Sequence, residues 1–345
     1  MFIFLFILFH FFVLLIVNII YNYKWESFNL ILGVIYLNSI FKNEESKVFL
    51  AYIAVCILWG STYLAIRIGV SEFPPTLFAG IRFLVAGTLM LTFSVYKGLK
   101  LPISFSEVMR ISIVGLFLLL GGNGCVVWAE TRIQSGIASL IVATVPLFMA
   151  IIELFLPNRP KLNLKGWIGL LMGFGGVALL VFSNSTKSSV DPLGIVLLLI
   201  GAFSWATGSV YSKSFKASSS IIPNIAIQML AGGLGLLIVG TSFGELSKVH
   251  ITSKAVGAML YLIFFGSIVG YSCYVYILEK WPVAKAGTYA YVNPLVAVLL
   301  GALILNEPIS IGVVISTAVI LGGVILVQTS KIKTVDNPLA LKLKL

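Results

Sequence analysis

Polar and aromatic side chains stand inside the long apolar stretches of this sequence. Polar groups at such positions cost free energy unless they face a cavity or a partner. Most of these residues are aromatics or amides, which stack on and hydrogen-bond with an amphipathic organic solute. The sequence therefore predicts a binding cavity for a small solute. The residues predicted to line it are Trp59, Ser61, Tyr63, Arg82, Asn123, Thr144, Pro146, Trp205, Gln228, Tyr271, Tyr274, Tyr289, Asn293 and Pro294.

Some of these residues also fit a structural role. Asn123 and Gln228 are lone amides in apolar surroundings, and a hydrogen bond between helices explains them as well as a solute contact does. Pro146 and Pro294 each lie near the middle of an apolar stretch. A proline at such a position breaks the helix locally, so we expect two related kinks, which serve packing or a cavity equally.

Charged residues gather at one end of the apolar stretches. Arg67 and Glu130 belong to this group and are predicted to form a gate or rim of the cavity. An interfacial cluster of charges is the alternative. The carboxylates lie near the ends of the stretches, so any proton coupling would use residues such as Glu130.

The sequence pattern gives no sign of a catalytic or metal site. His10 and His250 lie outside the apolar core, and Cys56, Cys125 and Cys273 stand singly, without a CxxC pair. A GxxxxGK[ST] phosphate loop is missing, so ATP is not the fuel of this chain. We expect no catalytic residue, metal or cofactor. A polytopic membrane enzyme and a channel or receptor are the alternatives to a transporter.

The composition predicts a membrane protein. Hydrophobic residues make up 59% of the 345 residues, charged residues make up 10%, and the mean hydropathy is +1.07. A soluble domain carries about 25% charged residues. The apolar stretches lack strand-like alternation, so the backbone should satisfy itself as helices. The net charge of +11 is spread over short loops without a basic face, which excludes a nucleic-acid partner and leaves the lipid bilayer as the surroundings.

From residue 48 onward, the sequence predicts an all-α polytopic bundle of ten spanning helices. The apolar stretches have the length that crosses a bilayer, about 20 residues, and Pro, Gly and Asn separate them. The predicted spans are residues 49–69, 75–96, 108–128, 135–156, 164–182, 192–213, 221–241, 255–278, 284–305 and 309–329.

The basic residues of the loops predict the orientation of this bundle. With the start of the first span inside, sixteen Lys and Arg lie on the inner side and four on the outer side. Lys and Arg accumulate in cytoplasmic loops. We therefore expect a multi-pass protein in which both ends of the ten-helix core are cytoplasmic.

The two halves of the bundle are related in sequence. Trp59 and Trp205 lie 146 residues apart, and Pro146 and Pro294 lie 148 residues apart. This offset covers five spans, and because five is odd, the second copy is inverted relative to the first. Inverted repeats are typical of secondary transporters, whose solute site lies near the midplane between the halves.

The chain is predicted to divide into four parts. The first repeat covers residues 48–183, the second covers 190–330, and a basic tail covers 331–345. Residues 1–47 form an extra hydrophobic segment that lacks the basic start of a signal peptide. An additional helix, a half-inserted hairpin and a translated stretch upstream of the natural start are the alternatives for this segment.

Several stretches resemble the drug/metabolite transporter superfamily and, within it, the EamA family of ten-helix permeases. Residues 57–69, which read ILWGSTYLAIRIG, look like the first helix of that family. Its second helix is similar to residues 74–83 (PPTLFAGIRF), and its fourth to residues 135–147 (SGIASLIVATVPL). Residues 289–308 (YAYVNPLVAVLLGALILNEP) look like its ninth helix and the following loop. The resemblance covers about residues 48–330.

This resemblance implies a basket of ten helices around a central cavity lined by both halves. It also implies a secondary transporter of the plasma (inner) membrane that exports small amphipathic metabolites, such as amino acids, related compounds or drugs. Two features depart from the family pattern. The first half has Asn158-Arg159-Pro160 where the second has Asn306-Glu307-Pro308, which argues against a shared role for an acidic residue there. Residues 1–47 have no counterpart in the family.

Overall fold

A computed structural model gives the fold of the chain. The described residues are 43–133, 135–156, 161–184, 191–296, 311–330 and 332–333. Within them, eight helices are long and apolar enough to cross a membrane, and Leu164–Leu180 forms a shorter apolar helix. The predicted all-α membrane fold is confirmed.

Several sequence predictions fall on residues outside this description. They concern the hydrophobic segment before residue 43, the end of the predicted ninth span, most of the basic tail, and the two loop motifs at 158–160 and 306–308.

The helices of the first half begin at clear signals. Asn43 caps the first helix, since its Oδ1 accepts a hydrogen bond from the Glu45 amide at 3.0 Å. A π-helical segment, Leu116–Asn123, joins the third and fourth helices, and we call it the first π segment. The α-helices are α1 Glu44–Glu72, α2 Pro75–Tyr96, α3 Phe105–Gly115, α4 Gly124–Ala129, α5 Ser135–Val142, α6 Val145–Phe155 and α7 Leu164–Asn184.

The second half repeats this arrangement. Asp191 caps its first helix by accepting a hydrogen bond from the Leu193 amide at 3.0 Å. The second π segment, Leu262–Tyr271, again joins two α-helices, and Glu245–Lys248 forms a short 3-10 helix. The α-helices are α8 Pro192–Ser212, α9 Ile221–Ser242, α10 Ser253–Tyr261, α11 Ser272–Lys280, α12 Val283–Gly287, α13 at residues 289–296 and α14 Ile311–Gln328.

The two π segments occupy related positions. They begin at Leu116 and Leu262, which are 262 − 116 = 146 residues apart, the same offset that relates Trp59 to Trp205. A π-helical turn is rare, and it is frequent at functional sites. Its presence in both halves at one offset indicates a feature of the repeat rather than a local accident.

The two proline stretches differ from each other. Before Pro146, the helix is interrupted at Ala143 and Thr144, as predicted. In the second half, the interruption falls at Thr288, and Pro294 lies inside the continuous helix α13. The Thr288 hydroxyl donates to the Lys285 carbonyl at 2.8 Å, a local bond that competes with the helix ladder. The prediction of a kink at Pro294 was therefore wrong in its position.

Related helices of the two halves pack against each other. α2 packs on α9, and α7 packs on α14. Glycines allow the second pair to approach closely, since a Cβ on Gly323 would lie 2.5 Å from the backbone nitrogen of Gly173. A two-residue strand, β1 Lys161–Leu162, pairs with β2 Ile332–Lys333 and fastens the ends of α6 and α14 to each other. Large exposed apolar side chains, such as Phe203 and Ile325, cover the outer faces, as expected in lipid.

Candidate solute-binding cavity

A cavity lies between the two halves of the bundle, and its space, including the part shared with the surroundings, is about 710 Å³. On α1 the cavity is lined by Trp59, Thr62, Tyr63 and Ile66, which share one helix face. This face belongs to the half of α1 that leads to Glu72. We call the two ends of the bundle the Glu44 end and the Glu72 end, after the first and last residues of α1.

Eight of the residues predicted to line the cavity do lie on its wall, and they come from both halves. They are Trp59, Tyr63, Arg82, Asn123, Trp205, Tyr271, Tyr289 and Asn293. The structure thus brings these side chains together around one space. Their role in binding a solute stays a prediction.

Other predicted residues lie off the wall. Ser61 follows Trp59 by two positions and so lies on another face of α1, where its hydroxyl bonds to the Tyr261 hydroxyl at 2.6 Å. Thr144 donates to the Ile141 carbonyl at 2.6 Å within the helix interruption. Pro146 and Pro294 are buried, and neither lines the cavity.

Gln228 and Tyr274 support the wall from behind. The Gln228 Oε1 accepts a hydrogen bond from the Tyr271 hydroxyl at 2.7 Å. The Tyr274 hydroxyl accepts from the Trp205 Nε1 at 2.9 Å and bonds to the Ser209 hydroxyl at 2.6 Å. Both residues therefore fix the orientation of aromatic rings that do face the cavity.

Five aromatic residues form one cluster at the side of the cavity that faces the Glu44 end. Trp59 stands 5.4 Å from Trp205, 5.1 Å from Tyr274 and 4.9 Å from Tyr289, between ring centroids. Tyr271 lies 6.3 Å from Trp205. Edge-to-face and tilted contacts at these distances are favourable. We call Trp59, Trp205, Tyr271, Tyr274 and Tyr289 the aromatic cluster.

Each tryptophan of this cluster packs against a glycine in the π segment of the opposite half. A Cβ on Gly122, in the first π segment, would lie 2.7 Å from the Trp205 ring. A Cβ on Gly270, in the second π segment, would lie 2.6 Å from the Trp59 Nε1. The same nitrogen donates to the Gly266 carbonyl at 3.0 Å. Each half therefore supplies one indole and one glycine seat.

Hydrogen bonds close the bundle between the aromatic cluster and the Glu44 end. The Tyr52 hydroxyl, from α1, bonds to the Thr288 hydroxyl at 2.9 Å. Gln328, from α14, donates to the Thr288 hydroxyl at 3.0 Å and to the Lys285 carbonyl at 3.2 Å. The Lys285 ammonium in turn donates to the Gln328 carbonyl at 2.8 Å.

Charged contacts complete this closure. Glu44 accepts from Lys280 at 3.2 Å, from Lys47 at 3.2 Å and from the Tyr276 hydroxyl at 3.3 Å. Lys280 and Tyr276 belong to the second half, and Glu44 is the first residue of α1, the helix that opens the first half. The Glu44 end is thus held by contacts that cross between the halves.

The predicted gate or rim residues have different environments. Arg67 is exposed on α1. Glu130 follows α4 and is buried, with 4% of its surface exposed, and both of its carboxylate oxygens lack a hydrogen-bond partner within the described residues. A buried carboxylate without partners is costly. The placement fits a functional group better than a purely interfacial charge.

Sequence reasoning missed part of the wall. Thr62 and Ile66 could have been found from helical spacing, since they share a face with Trp59 and Tyr63. Phe83 directly follows Arg82 and shares no face with it, so spacing does not predict it. The remaining members are small or apolar residues whose types carry no functional signal. They are Leu119, Gly122, Val126, Val142, Val145, Gly201, Ala202 and Gly266.

Comparison with known proteins gives the same picture of the chain. A family model described as "EamA-like transporter family" matches twice, over residues 46–182 and 192–329. The chain is 40% identical over 285 residues to "Uncharacterized inner membrane transporter YedA" of Escherichia coli (strain K12), covering 82% of this chain and 91% of that protein. It is 27% identical over 279 residues to "Uncharacterized transporter YoaV" of Bacillus subtilis (strain 168), covering 81% and 95%.

A solved structure has the same fold. A chain titled "Crystal structure of protein" superposes with a TM-score of 0.66 at 21% identity, covering 81% of this chain and 96% of that one. At this identity the likeness concerns the fold alone.

Proposed function

We propose, starting from the fact that the chain belongs to the EamA-like transporter family, that it is a secondary transporter of small amphipathic metabolites. Amino acids and related compounds are the solutes we expect first, with amphipathic drugs as a second class. The proposed direction is export across the plasma (inner) membrane, with both ends of the helical core in the cytoplasm. The E. coli relative is named as an inner-membrane transporter, which supports this location.

The observation that carries the proposal is the composition of the cavity wall. Both halves contribute to it, and it combines aromatic faces with a few polar groups from Arg82, Asn123 and Asn293. A wall of this kind suits a molecule with an apolar body and a polar end.

The contacts on the Glu44 side of the cavity support alternating access. Between the aromatic cluster and the Glu44 end, contacts that cross between the halves close the path. We propose that residues 48–183 and 190–330 are two units that rock against each other, which would release these contacts and close the Glu72 end. The helix interruptions at Ala143–Thr144 and at Thr288 would supply the bending points.

Two driving forces fit the chain. The solute gradient alone is one, and proton exchange at a residue near a helix end, such as the buried Glu130, is the other. Alternating access is compatible with either driving force. A transport assay run with and without a pH gradient distinguishes the solute gradient from proton exchange.

Counterflow in proteoliposomes tests the proposal. Vesicles loaded with unlabelled amino acids, nucleosides or cationic drugs receive the same solute as a labelled tracer, with and without a pH gradient. We expect transient accumulation of a labelled amino acid without any gradient. Flux that requires the pH gradient would assign the exchanger mechanism. Absence of counterflow for every solute, or uptake without counterflow, would contradict the carrier proposal and favour a channel.

A further inference from the structure

Arg82 is a buried cation on the wall of the cavity. Only 4% of its surface is exposed, although it carries a full positive charge. Its Nη2 donates to the Asn123 Oδ1 at 3.2 Å, and its guanidinium carbon lies 4.1 Å from the centre of the Phe83 ring. Its Nε has no hydrogen-bond partner among the described residues. The guanidinium is therefore positioned by two neighbours and keeps a donor free.

Glu130 is the acidic group near this cation, and it does not neutralise it by direct contact. Its two oxygens are buried without a hydrogen-bond partner, and no ion pair joins it to a basic side chain in the described part of the chain. Arg67 and Arg82 both act on it electrostatically from a longer distance. Arg82 is therefore a buried cation on the cavity wall whose charge no ion pair balances among the described residues.

A charge imbalance of this kind favours an anionic ligand. Removing a charge from water is costly unless a partner compensates it. The guanidinium fork matches a carboxylate, with which it forms short, charge-assisted bonds. Neutral Asn123, which already accepts one bond from Arg82, does not supply the missing charge.

We propose that Arg82, positioned by Asn123 and Phe83, binds the carboxylate of the transported solute. The apolar body of the solute then lies on the rings of Trp59, Trp205 and Tyr289, which line the same space. Glu130 is the counter-charge against which the solute's carboxylate competes. This subsite deepens the proposed function and depends on it, because it assigns the solute class to carboxylic acids.

Acids and their amides form matched probes for this subsite. Binding to the purified full chain is measured for L-phenylalanine and L-phenylalaninamide, for L-leucine and L-leucinamide, and for 3-phenylpropionate and its amide. Each pair keeps the apolar body and changes only the carboxylate. We expect at least one acid to bind about tenfold or more tightly than its amide, the difference a charge-assisted bond gives. Equal or tighter binding of every amide, or no binding of any acid, would overturn the proposal.

Three variants identify the residues responsible. Arg82→Gln should remove the preference for the acid, and Arg82→Lys should retain only part of it, because an ammonium lacks the planar fork. Arg132→Gln is the control, since this exposed arginine near the same end pairs with Asp191 and does not line the cavity. It should leave the preference unchanged. An unchanged preference in Arg82→Gln would overturn the assignment.

Glu130→Gln gives a gain that a misfolded variant could not show. Removing the competing negative charge should tighten binding of the acid by about threefold to tenfold and leave the amide unaffected. Unchanged or weaker acid binding in this variant would contradict the role of Glu130.

The subsite and the proposed function can fail separately. Counterflow of neutral or cationic solutes, with no acid bound, would keep the carrier and reject the carboxylate subsite. Acid binding that depends on Arg82, without counterflow of that acid, would keep the subsite and reject the carrier.

Discussion

Two groups of buried polar side chains, one on each side of the aromatic cluster, differ in their hydrogen bonding. Towards the Glu44 end, polar side chains that reach between helices have partners, as in the bonds of Tyr52 and Gln328 to Thr288. On the Glu72 side of the aromatic cluster, Arg82 and Glu130 are equally buried but keep donor and acceptor atoms without partners among the described residues. The first group therefore stabilises the contact between the halves, whereas the second keeps hydrogen-bonding capacity that the proposed solute would use.

The energetics of burial give this contrast its meaning. A buried polar atom without a partner costs about 1–3 kcal/mol, and more when it is charged. A protein tolerates such a cost where a ligand relieves it, and functional sites are the usual place. The aromatic cluster lies between the two regions, and each of its indoles packs against a glycine of the other half.

Locking the Glu44 end should have the largest effect. In a background with the three cysteines replaced by alanine, Glu44→Cys and Lys280→Cys place thiols where the two side chains meet at 3.2 Å. A short dimaleimide crosslinker should abolish counterflow, because alternating access requires this end to open. Each single-cysteine variant with the same reagent is the control. Unchanged counterflow after complete crosslinking would reject the rocking of the two halves.

Disturbing the packing of the aromatic cluster, which lies between the two regions, should have the next largest effect. In Gly270→Ala, the added methyl would lie 2.6 Å from the Trp59 Nε1 and push the indole away from the Gly266 carbonyl. We expect a loss of stability of about 1–3 kcal/mol, as for other overpacked sites, seen as a lower melting temperature in detergent.

Gly257→Ala is the matched control for this change. Gly257 lies on α10, within the same long helix, and a Cβ there would meet nothing within 4 Å. It should leave stability unchanged or raise it slightly, since alanine favours the helix. Equal effects of both substitutions would show that the indole seat is not tight.

Loosening one bond of the closed region should have a moderate effect. Tyr52→Phe removes the hydroxyl that bonds to Thr288 and costs about 1 kcal/mol. The population of molecules in which this end is open should rise about fivefold. Buried Cys56, one turn after Tyr52 on α1, should therefore react faster with a permeant maleimide. Cys125 and Cys273 are replaced beforehand. Tyr96→Phe, on an exposed residue, serves as the control; equal labelling rates in the two variants would contradict the prediction.

An exposed ion pair at the Glu72 end should have the smallest effect. The hydrogen bond from Arg132, at 3.0 Å, lowers the pKa of Asp191 below its ordinary value. The stabilisation is therefore fully present above that ordinary value and is lost as pH falls through the lowered one, below about pH 4. Asp191→Asn keeps the helix cap and removes only the charge. The difference in melting temperature between wild type and variant should be small at pH 7 and vanish in acid; a constant difference would contradict this linkage.

Helical spacing and residue type predicted part of the wall, and tertiary contacts explain the errors. Trp59 and Tyr63 share one face of α1, Arg82 is a charged residue within apolar α2, and the structure brings all three to the cavity. Ser61 was included for its type, but its face of α1 meets Tyr261 instead. Gln228 was ambiguous, and its bond to Tyr271 supports the wall without lining it. The sequence cannot decide such cases, because a polar side chain in lipid needs any partner, not a particular one.

The amino-acid sequence alone specifies the membrane fold, the family and the relation between the two halves. Hydropathy specifies these properties because lipid forces the backbone into apolar helices, and this leaves a readable period and length in the chain. The positions at which the helices depart from regular α-helical geometry depend on tertiary contacts. The π segments at Leu116 and Leu262 pack against indoles of the opposite half. The interruption at Thr288 rather than Pro294 combines a local bond to Lys285 with bonds from Tyr52 and Gln328 on other helices. Helix propensity depends on the local sequence, whereas the side chains that contact an irregular segment come from residues far away along the chain.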